Sequence, residues 1–231
     1  MARTSSMARD RSHRIGLLAI FCDMGEEWHE EFRLWLSEDM FPARLRFGFP
    51  ACASYDLAPV DSGGDPDGSQ AAAPPFLTIY ETLSTADLYG EPYQRLRRDR
   101  DPRDAAMHQR MIGIERYALS LVGPIISRDG DGLGHYVFVD RFDLRPADVQ
   151  TFNIWFEGEY LPWCLKLSGL VRVRRYLTME GAPRHFVLHE FKGMGFQEDP
   201  LWRALRKSRE WTICAMTYGA PALYKCAIRV P

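Results

Sequence analysis

The sequence has no Cys-x-x-Cys pair, no long apolar run and no excess of charge of either sign, and each absence removes a class of function. Its five cysteines, Cys22, Cys52, Cys164, Cys214 and Cys226, are an odd set without the spacing of a disulfide framework, so a reducing, cytoplasmic setting is expected. No stretch approaches the roughly 20 apolar residues of a membrane span, and residues 1–14 are polar and basic, a disordered leader rather than a secretory signal. Lys and Arg total 29 against 31 Asp and Glu, a net charge of -2 that offers no broad attraction to nucleic acid or to anionic membranes. The expected partner is therefore a small molecule, with a homodimer as a further assembly. HExxH, GxSxG, Walker A and dinucleotide glycine fingerprints are all missing. The glycine-rich SRDGDGLG, residues 127–134, lies between two strands and offers no helix N-terminus for phosphate.

What is present is an internal repeat. The stretch FRLWLSEDMFP, residues 32–42, returns as FNIWFEGEYLP, residues 152–162, with Phe32, Trp35 and Pro42 matching Phe152, Trp155 and Pro162. Hydrophobic periodicity predicts a strand over 15–23, a helix over 26–44, strands over 51–57 and 76–83, a helix over 92–100 and a strand over 117–122. The second half predicts the same order over 135–142, 147–165, 170–178, 185–192, 200–210 and 222–229. Pro92 matches Pro200 and Tyr117 matches Tyr224, and the first half carries an extra Gly/Pro-rich loop over 59–75. Each half, 15–124 and 135–231 about a connector at 125–134, thus reads β-α-β-β-α-β. Right-handed crossovers make this a four-stranded antiparallel sheet with both helices on one face. The fold class follows: α+β, two tandem ferredoxin-like repeats packed sheet to sheet as a pseudo-dimeric α+β barrel.

The shared Trp, acid and Pro of the two long helices, and third strands ending in Tyr80-Glu81 and His189-Glu190, resemble the dimeric α+β barrel superfamily. Its EthD-like, antibiotic-biosynthesis-monooxygenase-like and stress-responsive branches are the points of resemblance, over residues 15–231. The resemblance implies a pocket between sheet and helices, and an activity among isomerases, cofactor-free monooxygenases, cyclases, decarboxylases and heme enzymes. Many EthD-like chains place His directly after the helix acid; here Met40 and Tyr160 stand there.

Comparing the halves separates shared residues from gained ones. Ile20 becomes Asp140, Met40 becomes Tyr160, Ala53 becomes Arg174 and Tyr80 becomes His189. Inward polar groups need partners, so the second half is the expected site. His189 is the candidate proton carrier, because imidazole titrates near neutrality; a satisfied core histidine is its structural alternative. Glu159 and Tyr160 fall on the stripe of Trp155, Phe156 and Trp163 facing the sheet. Glu159 is either an acid-base carboxylate or the ion-pair partner of Arg172, Arg174 or Arg175, and Tyr160 an enolate hydrogen-bond donor or a buried tyrosine satisfied by backbone. Trp155, Phe156, Trp163, Arg174, Asp140 and His135 are the candidate substrate contacts. His185 and His189, four apart on a strand, sit about 13 Å from each other, too far for one metal. The reading is a cofactor-independent enzyme performing proton transfer on a small aromatic or polyketide-like carbonyl compound. Its alternatives are a cofactor-free monooxygenase and a ligand-binding or stress-associated barrel without turnover; by resemblance alone heme is a further cofactor, with His189 its ligand.

Overall fold

A computed structural model describes residues 15–58, 73–127, 133–218 and 221–230. The expected leader, and positions 59–72 and 128–132 of the expected loop and connector, lie outside them.

The first repeat runs β1 (Gly16–Asp23), α1 (His29–Trp35), α2 (Phe41–Arg46), β2 (Ala51–Leu57), β3 (Phe76–Thr82), α3 (Glu91–Arg98), α4 (Pro102–Arg110) and β4 (Ile112–Leu121), followed by the short β5 (Ile126–Ser127). The second runs β6 (Tyr136–Leu144), α5 (Val149–Trp155), α6 (Leu161–Cys164), β7 (Leu170–Thr178), β8 (His185–Phe191), α7 (Pro200–Arg206), α8 (Arg209–Cys214), β9 (Ala215–Thr217) and β10 (Ala222–Val230). Helices α4 and α8 extend the expected pattern. The sequence PRDAAMHQR of α4 buries only Met107, too little apolar periodicity to mark a helix, although Asp101 caps it by accepting from the Asp104 N–H at 2.9 Å.

Each repeat orders its strands as a ferredoxin-like sheet, β2-β3-β1-β4 and β7-β8-β6-β10. The two sheets also join edge to edge, β4 with β7 and β10 with β2, all antiparallel, so eight strands close a ring. Closure leaves these eight strands without a free edge. Alternation along the strands fills the barrel from both halves, with Leu17, Phe21, Tyr55 and Ile79 meeting Val137, Tyr176, Phe186 and Leu188. Two further cores lie between each sheet and its own helices. The final strands match with a shift: Tyr117 pairs Ala19 while Tyr224 pairs Val137, so the two tyrosines share a face but stand two residues apart in register.

Both long helices break at one place. Leu36–Met40 and Phe156–Tyr160 are π-helical turns, in which the N–H of Phe41 reaches Leu36 and that of Leu161 reaches Phe156, one residue beyond α spacing. Pro42 and Pro162 follow directly. Proline has no N–H to donate and its ring crowds the carbonyl four residues back, so the helix widens just before it. The extra residue turns the stripe: Phe152, Trp155, Phe156, Tyr160, Leu161 and Cys164 are buried, while Glu159 and Trp163 are exposed.

Inside the barrel sits a fully buried charge quartet. Arg172 donates to Glu81 at 2.8 Å and to Glu190 at 2.7 Å, and Arg174 reaches the same two carboxylates at 2.7 and 2.8 Å. Glu190 also accepts from the Gly134 N–H at 2.8 Å, where a Cβ would come within 2.8 Å of the Glu190 side chain, so only glycine fits. Glu81 belongs to the first repeat and both arginines to the second. Glu81→Ala leaves two desolvated guanidiniums short of a carboxylate, and it is expected to cost about 3–5 kcal/mol, read as a lower urea midpoint with unchanged slope.

Candidate functional site

The residues singled out in the second half divide by strand parity and helix phase. His189 and Asp140 point from the sheet toward the helices; Arg174 lies on the opposite face, in the barrel quartet, and cannot serve a site at His189. Strand alternation separates them, since Arg174 pairs Leu188 rather than His189. Glu159 and Trp163 are turned outward by the π turn, Trp163 with the Lys166 ammonium 3.7 Å above its ring, so neither lines a pocket with His189. His135 is exposed before β6.

Four residues do converge. The Tyr160 hydroxyl lies 2.9 Å from His189 Nε2, and Asp140 stands 3.6 Å from His189 Nδ1. Asp140 takes a bidentate pair from Arg206 at 2.5 and 2.9 Å. Trp155, Phe156, Trp202 and Trp211 pack around this group, and Arg206 lies over Trp211 with 4.4 Å to its centroid. His189 and Tyr160 are 0% exposed, and the space beside them is filled by side chains. Burial and the Arg206 guanidinium push His189 well below the ordinary imidazole value, while burial pushes Tyr160 well above the phenolic one. Heme, which the family resemblance raises, does not fit here. His189 Nε2 is engaged by Tyr160, and Phe138 and Trp202 stand edge-on to the ring at 6.2 and 5.3 Å, where a macrocycle would need open space. Among the described residues no group of three or more His, Cys, Asp or Glu is disposed to hold a metal ion.

A cavity of about 290 Å³ opens at the matching position of the first repeat, between β1, β3, β4 and the helices. Trp35, Leu36, Met40 and Tyr80 line it, the counterparts of Trp155, Phe156, Tyr160 and His189, together with Tyr93, Arg44, Arg97, Arg100, Arg116 and His108. Arg44 is 8% exposed, its Nε has no hydrogen-bond partner, and its guanidinium lies 5.4 Å from the Tyr93 ring centroid. Burial, Arg116, Arg100 and Arg44 all press Arg97 below the ordinary guanidinium value. His108 on α4 places Nδ1 2.9 Å from the Asp104 carbonyl and 3.1 Å from its carboxylate. Both oxygens only accept, so Nδ1 carries the proton and Nε2 of the neutral ring is the basic nitrogen. Burial acts to raise the Asp104 carboxyl, but the His108 and Arg100 contacts outweigh it and hold the group below its ordinary value.

The sequence reading placed none of Arg44, Arg97, Arg100, Arg116 or His108 in a site. Arg97 stands in the last turn of α3 and Arg100 between α3 and α4, with His108 coming from α4 itself, so it is the packing of separate elements that gathers them at one cavity.

His189 and His185 make the fold acid-sensitive. Burial and Arg175 bring His185 down to about 4, and His189 lies well below 6.5. Unfolded, both bind protons below about pH 6.5, which the native state refuses. Stability is therefore complete above that pH and falls as pH drops through it, by up to about 1.4 kcal/mol per pH unit for each histidine, His185 ceasing to contribute near pH 4. Urea midpoints between pH 7.5 and 5 measure the slope, and His189→Gln is expected to remove about half of it.

No protein-family model and no curated protein matches the chain. Solved structures do. An anthrone oxidase-like protein superposes with a TM-score of 0.59 at 11% identity, over 94% of this chain and 93% of its own. A monooxygenase candidate from Fusobacterium nucleatum subsp. nucleatum gives 0.58 at 8% identity over 94% of each chain. A point mutant of the chlorite dismutase of Candidatus Nitrospira defluvii gives 0.62 at 11% identity, covering 94% of this chain and 92% of the dismutase. At these identities the likeness is one of fold, and it extends over nearly the whole chain: this protein has the two-repeat, pseudo-dimeric α+β barrel architecture of those structures.

Proposed function

We propose that the protein is an enzyme that moves a proton on a small aromatic carbonyl compound held in the first-repeat cavity. The observation that carries this reading is the oriented His108 on the wall of an aromatic, cationic cavity. Nε2 of His108 removes a proton from the carbon beside the carbonyl, with Asp104 fixing the tautomer and balancing the imidazolium that forms. The enolate oxygen is met by Arg44 or by the Tyr80 hydroxyl, which burial keeps protonated. Returning the proton to another carbon completes an isomerisation; expelling a leaving group completes an elimination. Trp35, Tyr80 and Tyr93 wall the flat body of the substrate. A cavity of about 290 Å³ stands at the lower end of small-molecule sites.

Cofactor-free oxygenation is the second reading, favoured by two structural neighbours with oxidase or monooxygenase names. The same deprotonated substrate would supply the electrons that reduce dioxygen.

Deuterium wash-in from D₂O, followed by NMR over a panel of aryl ketones and hydroxylated aromatic carbonyl compounds, tests the proposal. Exchange at the carbon beside the carbonyl is expected, falling about 10²–10⁴-fold in His108→Gln and remaining in His189→Gln. Exchange unchanged in His108→Gln overturns the assignment. An oxygen electrode run on the same samples separates the two readings, and binding without exchange leaves the non-catalytic barrel.

A further inference from the structure

The two repeats form an internal control for charge. The N-caps Gly90 and Asp199, and the buried aromatics Tyr93 and Trp202, align α3 with α7 one residue off the Pro92–Pro200 match, so that Arg97 corresponds to Arg206. Arg206 is neutralised by Asp140 through two hydrogen bonds. The residue matching Asp140 is Ile20, which lines the cavity. Arg97 consequently faces an apolar side chain where its counterpart has a carboxylate, and its one polar contact is Gln94 at 3.5 Å. Arg44, at the position of the apolar core residue Cys164, adds a guanidinium that is buried, and the half-exposed Arg116 a third cation on the same wall. None of the three forms a salt bridge with a described carboxylate; Asp104, which contacts the lining residues His108 and Arg100, is taken by them.

A buried cation without its counter-charge is costly, which is the state of Arg44; Arg97 and Arg116, more exposed, add positive charge at the mouth of the same cavity, and one guanidinium is enough for a transient enolate. Guanidinium forks match carboxylate oxygens in plane and in pairs, and the Arg44 guanidinium sits over the Tyr80 and Tyr93 rings at 5.9 and 5.4 Å, beside the surface where a flat ligand would stack. We propose that the ligand of the first-repeat cavity is an aromatic carboxylate, whose permanent negative charge takes at Arg44, Arg97 and Arg116 the place that Asp140 holds in the second repeat. This names the substrate class for the cavity assigned above and rests on that cavity being the ligand site, but not on His108 carrying a proton.

The test is titration calorimetry of the full chain with 2-naphthoate, its neutral isostere 2-naphthamide and inorganic phosphate, with quenching of tryptophan fluorescence as a second signal. Naphthoate is expected to bind at least 10-fold more tightly than naphthamide, the preference shrinking as salt rises. Arg116→Gln, at a half-exposed position that the fold tolerates, should remove most of the preference, and Arg44→Gln all of it. Arg203→Gln, an exposed arginine paired with Glu198 at 2.6 Å, should leave it intact. Equal affinity for the two naphthyl probes, a preference untouched in Arg116→Gln, or no binding of either probe at millimolar concentration overturns the proposal. Phosphate binding as tightly as naphthoate overturns its aromatic half. Naphthoate preference without deuterium exchange sinks the proton-transfer reading alone; exchange on neutral ketones without naphthoate preference sinks this one alone.

Discussion

A guanidinium taken out of water needs a carboxylate, and this requirement organises the whole molecule. Three places meet it differently. In the barrel interior two arginines face two glutamates, a balanced quartet in which Glu81 of the first repeat is gripped by Arg172 and Arg174 of the second. Beneath the helices of the second repeat Arg206 meets Asp140 one to one. In the first repeat four arginines line a cavity, and three of them, the buried Arg44 and the more exposed Arg97 and Arg116, form no salt bridge with a described carboxylate. The balanced sites are closed and packed, and the unbalanced one is open.

The closed sites explain how one chain becomes a barrel. Edge pairing of β4 with β7 and of β10 with β2 removes the free edges of the two sheets, and apolar side chains from both halves fill the ring. The quartet adds a condition on register, because a one-residue slip of β7 would move Arg172 and Arg174 to the helix face and leave Glu81 and Glu190 buried without them. The polar group gained by the second repeat at Asp140, Tyr160 and His189 pairs its charges internally, with Arg206 as the added fourth member and aromatic rings packed over it, although His189 Nδ1 is left without a hydrogen bond. What distinguishes the first repeat is open space beside its unpaired Arg44, where the second repeat is packed with side chains.

Much of the architecture was legible in the sequence because it rests on local patterns. The recurrence of Phe32, Trp35 and Pro42 at Phe152, Trp155 and Pro162, together with the strand runs, gave the two-repeat order that the structure adopts. The paired prolines also encoded the π turns, but straight helical periodicity carried past them and aimed Glu159 and Trp163 at the sheet. The terminal strands were matched two residues out of register because their apolar pattern has period two, and such a slip preserves every face. Tyr160, His189 and Asp140 were each named as candidates, but their meeting on one face and the choice of which repeat stays hollow were not legible.

By itself the sequence determined the repeat, the order of the main strands and helices and the closed-barrel class, since these follow from the spacing of apolar residues along single elements; which face of each strand met the helices was left to the tertiary structure. Tertiary structure alone decided which arginines have partners. Arg206 and Asp140 are 66 positions apart, and Arg97 and Arg44 reach one cavity from different helices. Ion pairing between distant elements depends on distances of a few ångströms across a folded core, and no periodicity along the chain carries that information. The same fold therefore holds a filled site in one repeat and an open one in the other, with the difference set by a single carboxylate, Asp140, and the isoleucine that stands in its place.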